Sequence, residues 1–207
     1  MKAITPCLFA AGMGIAAGSV QAEIYSAEAI ADLRFLIEEE KLARDVYLSF
    51  GTLYPTIMPF QHIPNSENTH YNTLVTQAGL AGVDVSDLTS LPSNTFQNLA
   101  LQSLFTSLVA QGSTSAYAAL TVGKNIELQD IDDLTVAMSR VPSTSSLYNA
   151  YNNLRNGSYN HLNAFNNWLA MTPTPPVPEP ETYAMFLAGL GLVALAARRH
   201  KPFLTIR

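Results

Sequence analysis

Cysteine is almost absent from this chain of 207 residues, which contains only Cys7. Cys7 lies in an apolar N-terminal stretch that we expect to be removed, so the remaining chain has no thiol. This absence excludes disulfide bonds and thiolate metal ligands. Any metal ion that the protein binds must therefore be held by oxygen and nitrogen donors.

Charged residues are also scarce. They make up 13% of the chain, about half of the usual share in soluble domains. Residues 23–180 carry six Lys or Arg against fifteen Asp or Glu, a difference of nine negative charges. Because no basic patch is available to bind phosphates, we do not expect nucleic-acid binding. The 48% of hydrophobic residues is sufficient for a core.

The first 22 residues have the pattern of a secretory signal peptide. Lys2 is followed by an apolar stretch, residues 7–17, and Val20-Gln21-Ala22 has small or apolar residues at the positions that a signal peptidase reads. A buried N-terminal helix is the alternative interpretation. We expect signal peptidase to cut after Ala22.

The C-terminal residues have a second export pattern. A Pro-rich linker, residues 171–182, contains a Pro-Glu-Pro motif at residues 178–180. Residues 183–201 follow, with an apolar run that ends at Ala197 and a basic cluster at residues 198–201. The apolar run is at the short limit for a transmembrane helix, and the basic cluster should stay in the cytoplasm.

This order of motif, apolar run and basic tail resembles the PEP-CTERM sorting signal of Gram-negative bacteria over residues 177–201. The resemblance implies a protein that is anchored transiently in the inner membrane and cut by an exosortase. It also implies release to the cell envelope or the exterior, together with exopolysaccharide or biofilm systems. An ordinary single-pass anchor fits the same length of apolar sequence.

Residues 23–170 form the predicted folded domain, in which apolar side chains recur at helical spacing. Helices are predicted over residues 26–50, from 65 or 66 to 79 or 82, over 95–111, from 113 or 115 to 133, and over 143–169. Loops are predicted over 51–64 and 84–93, and residues 134–141 have no assignment. We find no alternating strand pattern. The simplest fold class is therefore all-α, a bundle of four core helices with one extra crossover helix.

Glutamate is rare in this domain, and only Glu67 and Glu127 occur between residues 41 and 178. Each of the four predicted core helices has a metal-capable side chain within an apolar stripe. These side chains are Glu40, then Glu67 and His70, then Glu127 and Asp130, and finally His161. Burying isolated carboxylates is very costly, and two divalent cations would balance the charge of four carboxylates. The pattern therefore predicts a buried site for two metal ions.

Four sequence motifs carry a family resemblance. They are EEEKLARDVY at residues 38–47, an E-x-x-H motif at 67–70, VGKNIELQDIDDL at 122–134 and GSYNH at 157–161. Together they resemble an uncharacterised family of ferritin-like domains in the rubrerythrin and ferritin superfamily.

This resemblance implies that Glu40, Glu67, His70, Glu127 and His161 bind iron or manganese, with Tyr47 close to the metals. Ser158 stands where the rubrerythrin pattern has a second carboxylate. Asp130 could supply that carboxylate from the neighbouring helix; otherwise the site is asymmetric or holds one metal.

Each candidate ligand also has a purely structural interpretation. Glu40 adjoins Glu38 and Glu39, and such a run is usually a solvated face. A stripe through Glu39 competes with the stripe through Glu40. Asp130 could lie at the surface, and His161 could be an ordinary core histidine.

Two classes of function are compatible with the sequence. One is an exported di-metal protein that acts on oxygen, peroxide or ferrous iron, or that sequesters metal without turnover. The other is a non-enzymatic matrix protein that contacts exopolysaccharide, in which the inward polar side chains form a hydrogen-bonded network without metal.

Export predicts a defined N-terminus for the processed protein. Mass spectrometry of the N-terminal peptide should give a chain that starts at Glu23, because the apolar stretch ends before a peptidase site at Ala22. A processed protein that keeps Cys7 would contradict the assignment of a signal peptide.

Overall fold

The computed structural model describes residues 25–174, and these residues are helical with no strand. The helices are α1 Ala27–Leu53, α2 Met58–Leu80, α3 Ser86–Thr89, α4 Leu99–Gly112, α5 Ala116–Ser139 and α6 Ser146–Met171. The all-α prediction is confirmed over this part of the chain. The predicted signal peptide, sorting helix and most of the linker lie outside the described residues. No helix within residues 25–174 is both long and apolar enough to cross a membrane.

The four long helices form a closed bundle. Helix α1 packs against α2, α2 against α6, α6 against α5, and α5 against α1. The shorter α4 lies across α1 and α5 and connects the two halves of the chain. Four core helices with one crossover helix is thus the observed arrangement. Serine caps support three of the long helices, since the side chains of Ser26, Ser115 and Ser145 each accept a hydrogen bond from a backbone N–H of the first turn.

The predicted loop over residues 51–64 is wrong for most of its length. Helix α1 continues to Leu53, and α2 begins at Met58 and runs through Pro64. Pro64 has no N–H to offer the carbonyl of Phe60, four residues earlier. That carbonyl approaches α1 so closely that a Cβ at Gly51 would lie 2.8 Å from its oxygen. Packing against α1 therefore overrides the helix-breaking tendency of proline here.

Other parts of the secondary structure also differ from the prediction. Helix α5 extends to Ser139, since Leu134, Ala137 and Met138 are buried and continue its apolar stripe. Helix α4 begins at Leu99 rather than at residue 95. A single turn, α3, interrupts the predicted loop over residues 84–93.

The core consists of two apolar clusters separated by a polar layer. One cluster includes Leu36, Leu74, Leu134 and Leu154, and the other includes Phe50, Phe60, Leu120 and Phe165. On each long helix the apolar stripe changes to polar residues for one turn and then resumes. The polar layer therefore crosses the middle of the bundle, where all four helices contribute to it.

Helix α1 is buried around its whole circumference from Leu36 to Ala43. The reason is the segment before α4, residues 92–98, which we call the crossover segment. It covers the side of α1 that a plain four-helix bundle would leave exposed. Glu38 accepts hydrogen bonds from the backbone N–H groups of Gln97 and Asn98, at 2.5 and 3.2 Å. Asp45 accepts one from the N–H of Asn94 at 2.7 Å.

Lys41 completes this attachment. Its Nζ donates to the carbonyl oxygens of Pro92 and Thr95 at 2.7 and 2.5 Å and lies 4.9 Å from the ring centre of Phe96. Glu38, Lys41 and Asp45 share one face of α1, and this face fixes the crossover segment. The interpretation of the run as a solvated face is therefore wrong, because the backbone groups of the crossover segment take the place of water.

Gly123 provides a test of how tightly the second apolar cluster is packed. A Cβ at this position would lie 2.5 Å from Cε1 of Phe165. We expect Gly123→Ala to lower the free energy of unfolding by about 1–3 kcal/mol, the usual cost of overpacking a core. Urea denaturation followed by circular dichroism would measure it.

Gly79→Ala is the matched control, because a Cβ there has no heavy atom within 4 Å. Its free energy of unfolding should stay constant or rise slightly, since alanine favours the helix. Equal losses in both variants would contradict the packing argument.

Candidate metal centre

All six predicted ligands lie in the polar layer and are buried. Their side chains come from α1, α2, α5 and α6, and the set is Glu40, Glu67, His70, Glu127, Asp130 and His161. Glu67 is central. The structural alternatives of an exposed Glu40 and a surface Asp130 are wrong, since only 2% of Glu40 and 5% of Asp130 are accessible to solvent.

The two histidines lie on either side of Glu67. Nδ1 of His70 is 2.9 Å from Oε2 of Glu67 and 3.3 Å from Oε2 of Glu40. Nδ1 of His161 is 2.9 Å from Oε1 of Glu67 and 3.5 Å from Oε2 of Glu127. Each half of the centre thus has one imidazole nitrogen, one carboxylate of its own and one oxygen of the shared Glu67.

Several of these atoms are buried without a hydrogen-bond partner. They are Oε1 of Glu40, Oε1 of Glu67, Nδ1 of His70, Nδ1 of His161 and Oδ1 of Asp130. The two Nδ1 atoms and Oε1 of Glu67 belong to the 2.9 Å ion pairs described above, which lack the alignment of a hydrogen bond. Oε1 of Glu40 and Oδ1 of Asp130 take part in neither of those pairs. Buried polar atoms in proteins nearly always have a partner, and leaving one unpaired costs about 1–3 kcal/mol. Donor atoms of Glu67, His70 and His161 lie within 4.8 Å of one another. Such convergence of oxygen and nitrogen donors suits a cation placed between them.

Burial changes the acid–base properties of the carboxylates. Burial raises the pKa of Glu40 to about 8, with repulsion from Glu67 adding to it. Burial and repulsion from Glu67 likewise raise the pKa of Glu127 to about 8. Burial acts in the same direction on Glu67, but contacts with His161 and His70 outweigh it and lower the pKa of Glu67 to about 2. Glu67 is therefore the anion that both imidazoles share.

The histidines have pKa values shifted in the opposite direction. Burial lowers the pKa of His70, but contacts with Glu40 and Glu67 raise it to about 11. Burial lowers the pKa of His161, and Glu127 and Glu67 raise it to about 10. The surrounding carboxylates therefore favour the protonated form of both imidazoles, and a bound cation would compete with those protons.

Side chains outside this set hold several of the candidate ligands in position. The hydroxyl of Tyr47 donates to Oε1 of Glu127 at 2.7 Å. Oγ of Ser66 lies 2.9 Å from Nε2 of His161. Gly157 leaves space for the imidazole of His70, since a Cβ there would be 2.7 Å from its Nε2. Supporting groups of this kind fix the orientation of histidine and carboxylate ligands in metal sites.

Ser158 also supports a candidate ligand. Its hydroxyl donates to Oδ2 of Asp130 at 2.5 Å, which leaves Oδ1 of Asp130 unpaired. Asp130 is one helical turn after Glu127 on α5, so both carboxylates are directed into the same layer. Ser158, which stands where the rubrerythrin pattern has a carboxylate, thus holds the carboxylate of Asp130 on the neighbouring helix.

Two residues outside the predicted set, His62 and Glu39, also have clear positions in the structure. His62 is exposed on α2, within the range of residues that was predicted to be a loop. Glu39 is buried, with 7% of its surface exposed. The stripe through Glu39 had been expected only as an alternative to the stripe through Glu40. Both stripes are buried because α1 is covered on every side from Leu36 to Ala43. Glu39 was not among the predicted site residues. The unbroken run of three glutamates followed by a lysine was the feature of the sequence that could have indicated its burial.

Comparison with known proteins identifies the family. Residues 29–172 match the family described as Uncharacterized protein domain (DUF2202). The chain belongs to this family. A second match, over residues 176–200, is to the PEP-CTERM protein-sorting motif.

The DUF2202 domain has a relative in Methanocaldococcus jannaschii, the uncharacterized protein MJ0754. The two are 36% identical over 129 residues, which cover 62% of this chain and 68% of the relative. The crystal structure of the hypothetical protein MJ0754 has a TM-score of 0.68 and 30% identity to this chain. That match covers 80% of this chain and 95% of the solved one.

The sorting motif confirms the resemblance found at the C-terminus. It indicates a protein that is exported to the cell envelope and processed by an exosortase. The family description of the DUF2202 domain names no activity. The function of the polar layer is therefore inferred from the side chains that form it.

The hydrogen bond from Tyr47 to Glu127 predicts a measurable contribution to stability. Tyr47→Phe should lower the free energy of unfolding of the metal-free protein by about 1–2 kcal/mol, because it leaves a buried carboxylate oxygen without its donor. Urea denaturation in the presence of chelator would measure this.

The control is the same substitution at Tyr159, which is 47% exposed on α6. Tyr159→Phe should leave the free energy of unfolding within about 0.5 kcal/mol of the wild-type value. Similar losses in both variants would argue against a specific role for the Tyr47 hydroxyl.

Proposed function

We propose that this protein is an exported, ferritin-like metalloprotein whose polar layer binds two iron or manganese ions. It would work in the envelope or biofilm matrix of a Gram-negative bacterium, on oxygen, peroxide or ferrous iron, or in sequestering metal. The observation that carries the proposal is the set of buried carboxylate and imidazole groups from four helices that converge around Glu67, in which Oε1 of Glu40 and Oδ1 of Asp130 have no hydrogen-bond partner.

The donor set fits the proposed metals. Carboxylate oxygen and imidazole nitrogen are the ligands found at non-haem iron and manganese centres. Glu67 has one oxygen beside each imidazole, so it is suited to contact both ions. Glu40 and His70 would complete one half, and Glu127 and His161 the other. Iron or manganese bound in this layer would supply Lewis acidity or electron transfer toward an oxidant.

The distribution of donors over the helices supports the ferritin-like assignment. In that superfamily, two helices give a Glu each and two give an E-x-x-H pair. Here α1 has Glu40, α2 has Glu67 and His70, α5 has Glu127, and α6 has His161. Ser158 occupies the remaining carboxylate position. Asp130 then supplies the missing charge from α5, since Ser158 donates to it directly.

The chain's own groups have distinct roles in such a centre. Tyr47 and Ser66 orient Glu127 and His161 through hydrogen bonds. Tyr47 and Phe165 form part of the apolar cluster that keeps water from one side of the layer. The raised pKa values of Glu40 and Glu127 allow these carboxylates to hold protons that leave when a cation arrives.

The matrix-protein alternative receives less support from the polar layer. A hydrogen-bonded network without metal requires that buried polar atoms find partners within the protein. Oε1 of Glu40 and Oδ1 of Asp130 do not, and the 2.9 Å contacts of Glu67 with the two imidazoles lack the alignment of hydrogen bonds. Residues at the surface of the protein, and not those of the buried polar layer, would therefore have to contact polysaccharide.

Metal analysis would test the proposal directly. The full-length protein, reconstituted anaerobically with ferrous or manganous ions and desalted, should retain about two ions per chain. Glu67→Gln should retain far less, because an amide cannot neutralise two cations. Asp132→Asn, an exposed change on α5, is the control with the same change in charge and should retain the wild-type amount.

Thermal unfolding provides an independent measurement. Metal at one hundred times its dissociation constant should stabilise the wild type by about 2.7 kcal/mol, and chelator should remove that gain. Metal content near zero in the reconstituted wild type, with no effect of chelator on the unfolding midpoint, would refute the proposal.

A further inference from the structure

One end of the bundle carries no charged side chain. It is formed by residues 46–66, 99–123 and 156–174, which contain no Asp, Glu, Lys or Arg. Charged residues normally make up about a quarter of a soluble domain. Within residues 25–174 they occur only in the other parts of the long helices and in the connecting segments. We call the residues of these three ranges the uncharged end.

Side-chain contacts show that the three ranges meet in space. The ring of Phe60 on α2 lies edge to face against Phe50 on α1, with ring centres 5.3 Å apart, and 5.7 Å from the ring centre of Phe165 on α6. The hydroxyl of Tyr54, just after α1, donates to the carbonyl of Gly112 at the end of α4 at 2.8 Å. Helix α5 joins the same apolar cluster through its first two turns. The uncharged end is therefore one continuous part of the bundle.

The outer edge of the uncharged end presents large apolar side chains to solvent. Leu53, the last residue of α1, is 51% exposed, Met58, the first of α2, is 43% exposed, and Met171, the last of α6, is 68% exposed. Trp168 is half-buried and lies one turn before Met171 on α6. We call these four residues the apolar tip. Exposed apolar groups at one place, surrounded by polar residues, mark a surface that contacts a partner.

The chain leaves the domain from this end. Helix α6 ends at Met171, and the described residues end at Thr174. The PEP-CTERM motif begins at residue 176, and the apolar run that we expect to cross the membrane begins at Tyr183. Between Thr174 and Tyr183 the chain can span at most about 30 Å, whereas the opposite end of α6 is about 40 Å away from Met171. While the sorting segment, residues 183–201, is in the membrane, the uncharged end is therefore the part of the domain held nearest to the bilayer.

Charge favours a lipid surface as the partner of this end. The domain has more acidic than basic residues, and anionic lipids repel acidic surfaces. A charged side chain also loses hydration where it meets hydrocarbon. The uncharged end avoids both costs. Its indole, leucine and methionine side chains are groups that favour the boundary between water and lipid.

We propose that the apolar tip rests on the surface of the lipid bilayer while the sorting segment attaches the domain to the membrane. Four side chains alone make a weak contact, but the attachment keeps the bilayer at a high effective concentration, so a weak contact is sufficient. A second copy of the chain is not held beside the tip in this way. The proposal does not involve the metal centre, so it can fail while the proposed function stands.

The chain contains a single tryptophan, Trp168, which makes this contact measurable. Full-length protein would be reconstituted into vesicles made of equal amounts of phosphatidylcholine and phosphatidylglycerol, and flotation would show that it is attached. Bromine atoms on the acyl chains quench the fluorescence of an indole that touches them. Because Trp168 belongs to the apolar tip, its fluorescence should be much weaker in brominated vesicles than in ordinary ones.

A charge placed on the tip should break the contact. Leu53→Glu and Met171→Glu should each lose most of the quenching, because phosphatidylglycerol repels the new carboxylate, which would also lose water at the bilayer. Leu80→Glu is the matched control, since it makes the same change at a leucine that is 57% exposed at the other end of α2. It should be quenched as strongly as the wild type. All three positions are exposed, and circular dichroism would confirm that the variants fold.

Three results would overturn the proposal. An unquenched Trp168 in wild-type protein that floats with the vesicles would exclude contact of the tip with lipid, and cross-linking to dimers in those vesicles would assign the tip to a second copy of the chain instead. Equal quenching in the wild type and all three variants would mean that the attachment alone brings Trp168 to lipid. Failure of the full-length protein to float would remove the attachment on which the contact depends.

Discussion

The structure depends on the compensation of buried negative charge in the middle of the bundle. Five carboxylates, those of Glu39, Glu40, Glu67, Glu127 and Asp130, lie between two apolar clusters. Their mutual repulsion and their loss of water each oppose folding. Two imidazoles and added protons can neutralise them, as the raised pKa values of Glu40 and Glu127 indicate. Cations would neutralise them more completely, since they would also bind the carboxylate oxygens that have no hydrogen-bond partner.

The crossover segment explains why this arrangement can be closed off from water. By attaching to Glu38, Lys41 and Asp45, it covers the open side of α1 and buries these three side chains. One short motif thus serves two purposes on different faces of one helix. Glu40 and Tyr47 face the centre, while Glu38 and Lys41 hold the covering segment. The fold and the candidate site are therefore linked through the same ten residues.

Helical periodicity was enough to find the long helices and the inward direction of Glu40, Glu67, His70, Glu127 and His161. It failed where packing opposed local preference. Pro64 and Gly51 both suggest a break in the helix, but α1 and α2 approach each other closely there, and both helices continue. The burial of Glu39 could not be found from periodicity either, because it depends on how the rest of the bundle packs around α1.

The sequence by itself determined the helical class, the sorting motif and the donor types, because these follow from local spacing and composition. The absence of thiol outside the predicted signal peptide already limits the ligands to oxygen and nitrogen. Only the tertiary structure decided which donors meet, since distances between helices depend on how they pack. It brought Glu67 between two imidazoles from different helices and set Asp130 against Ser158. These contacts join residues far apart in the chain, and no local pattern contains them.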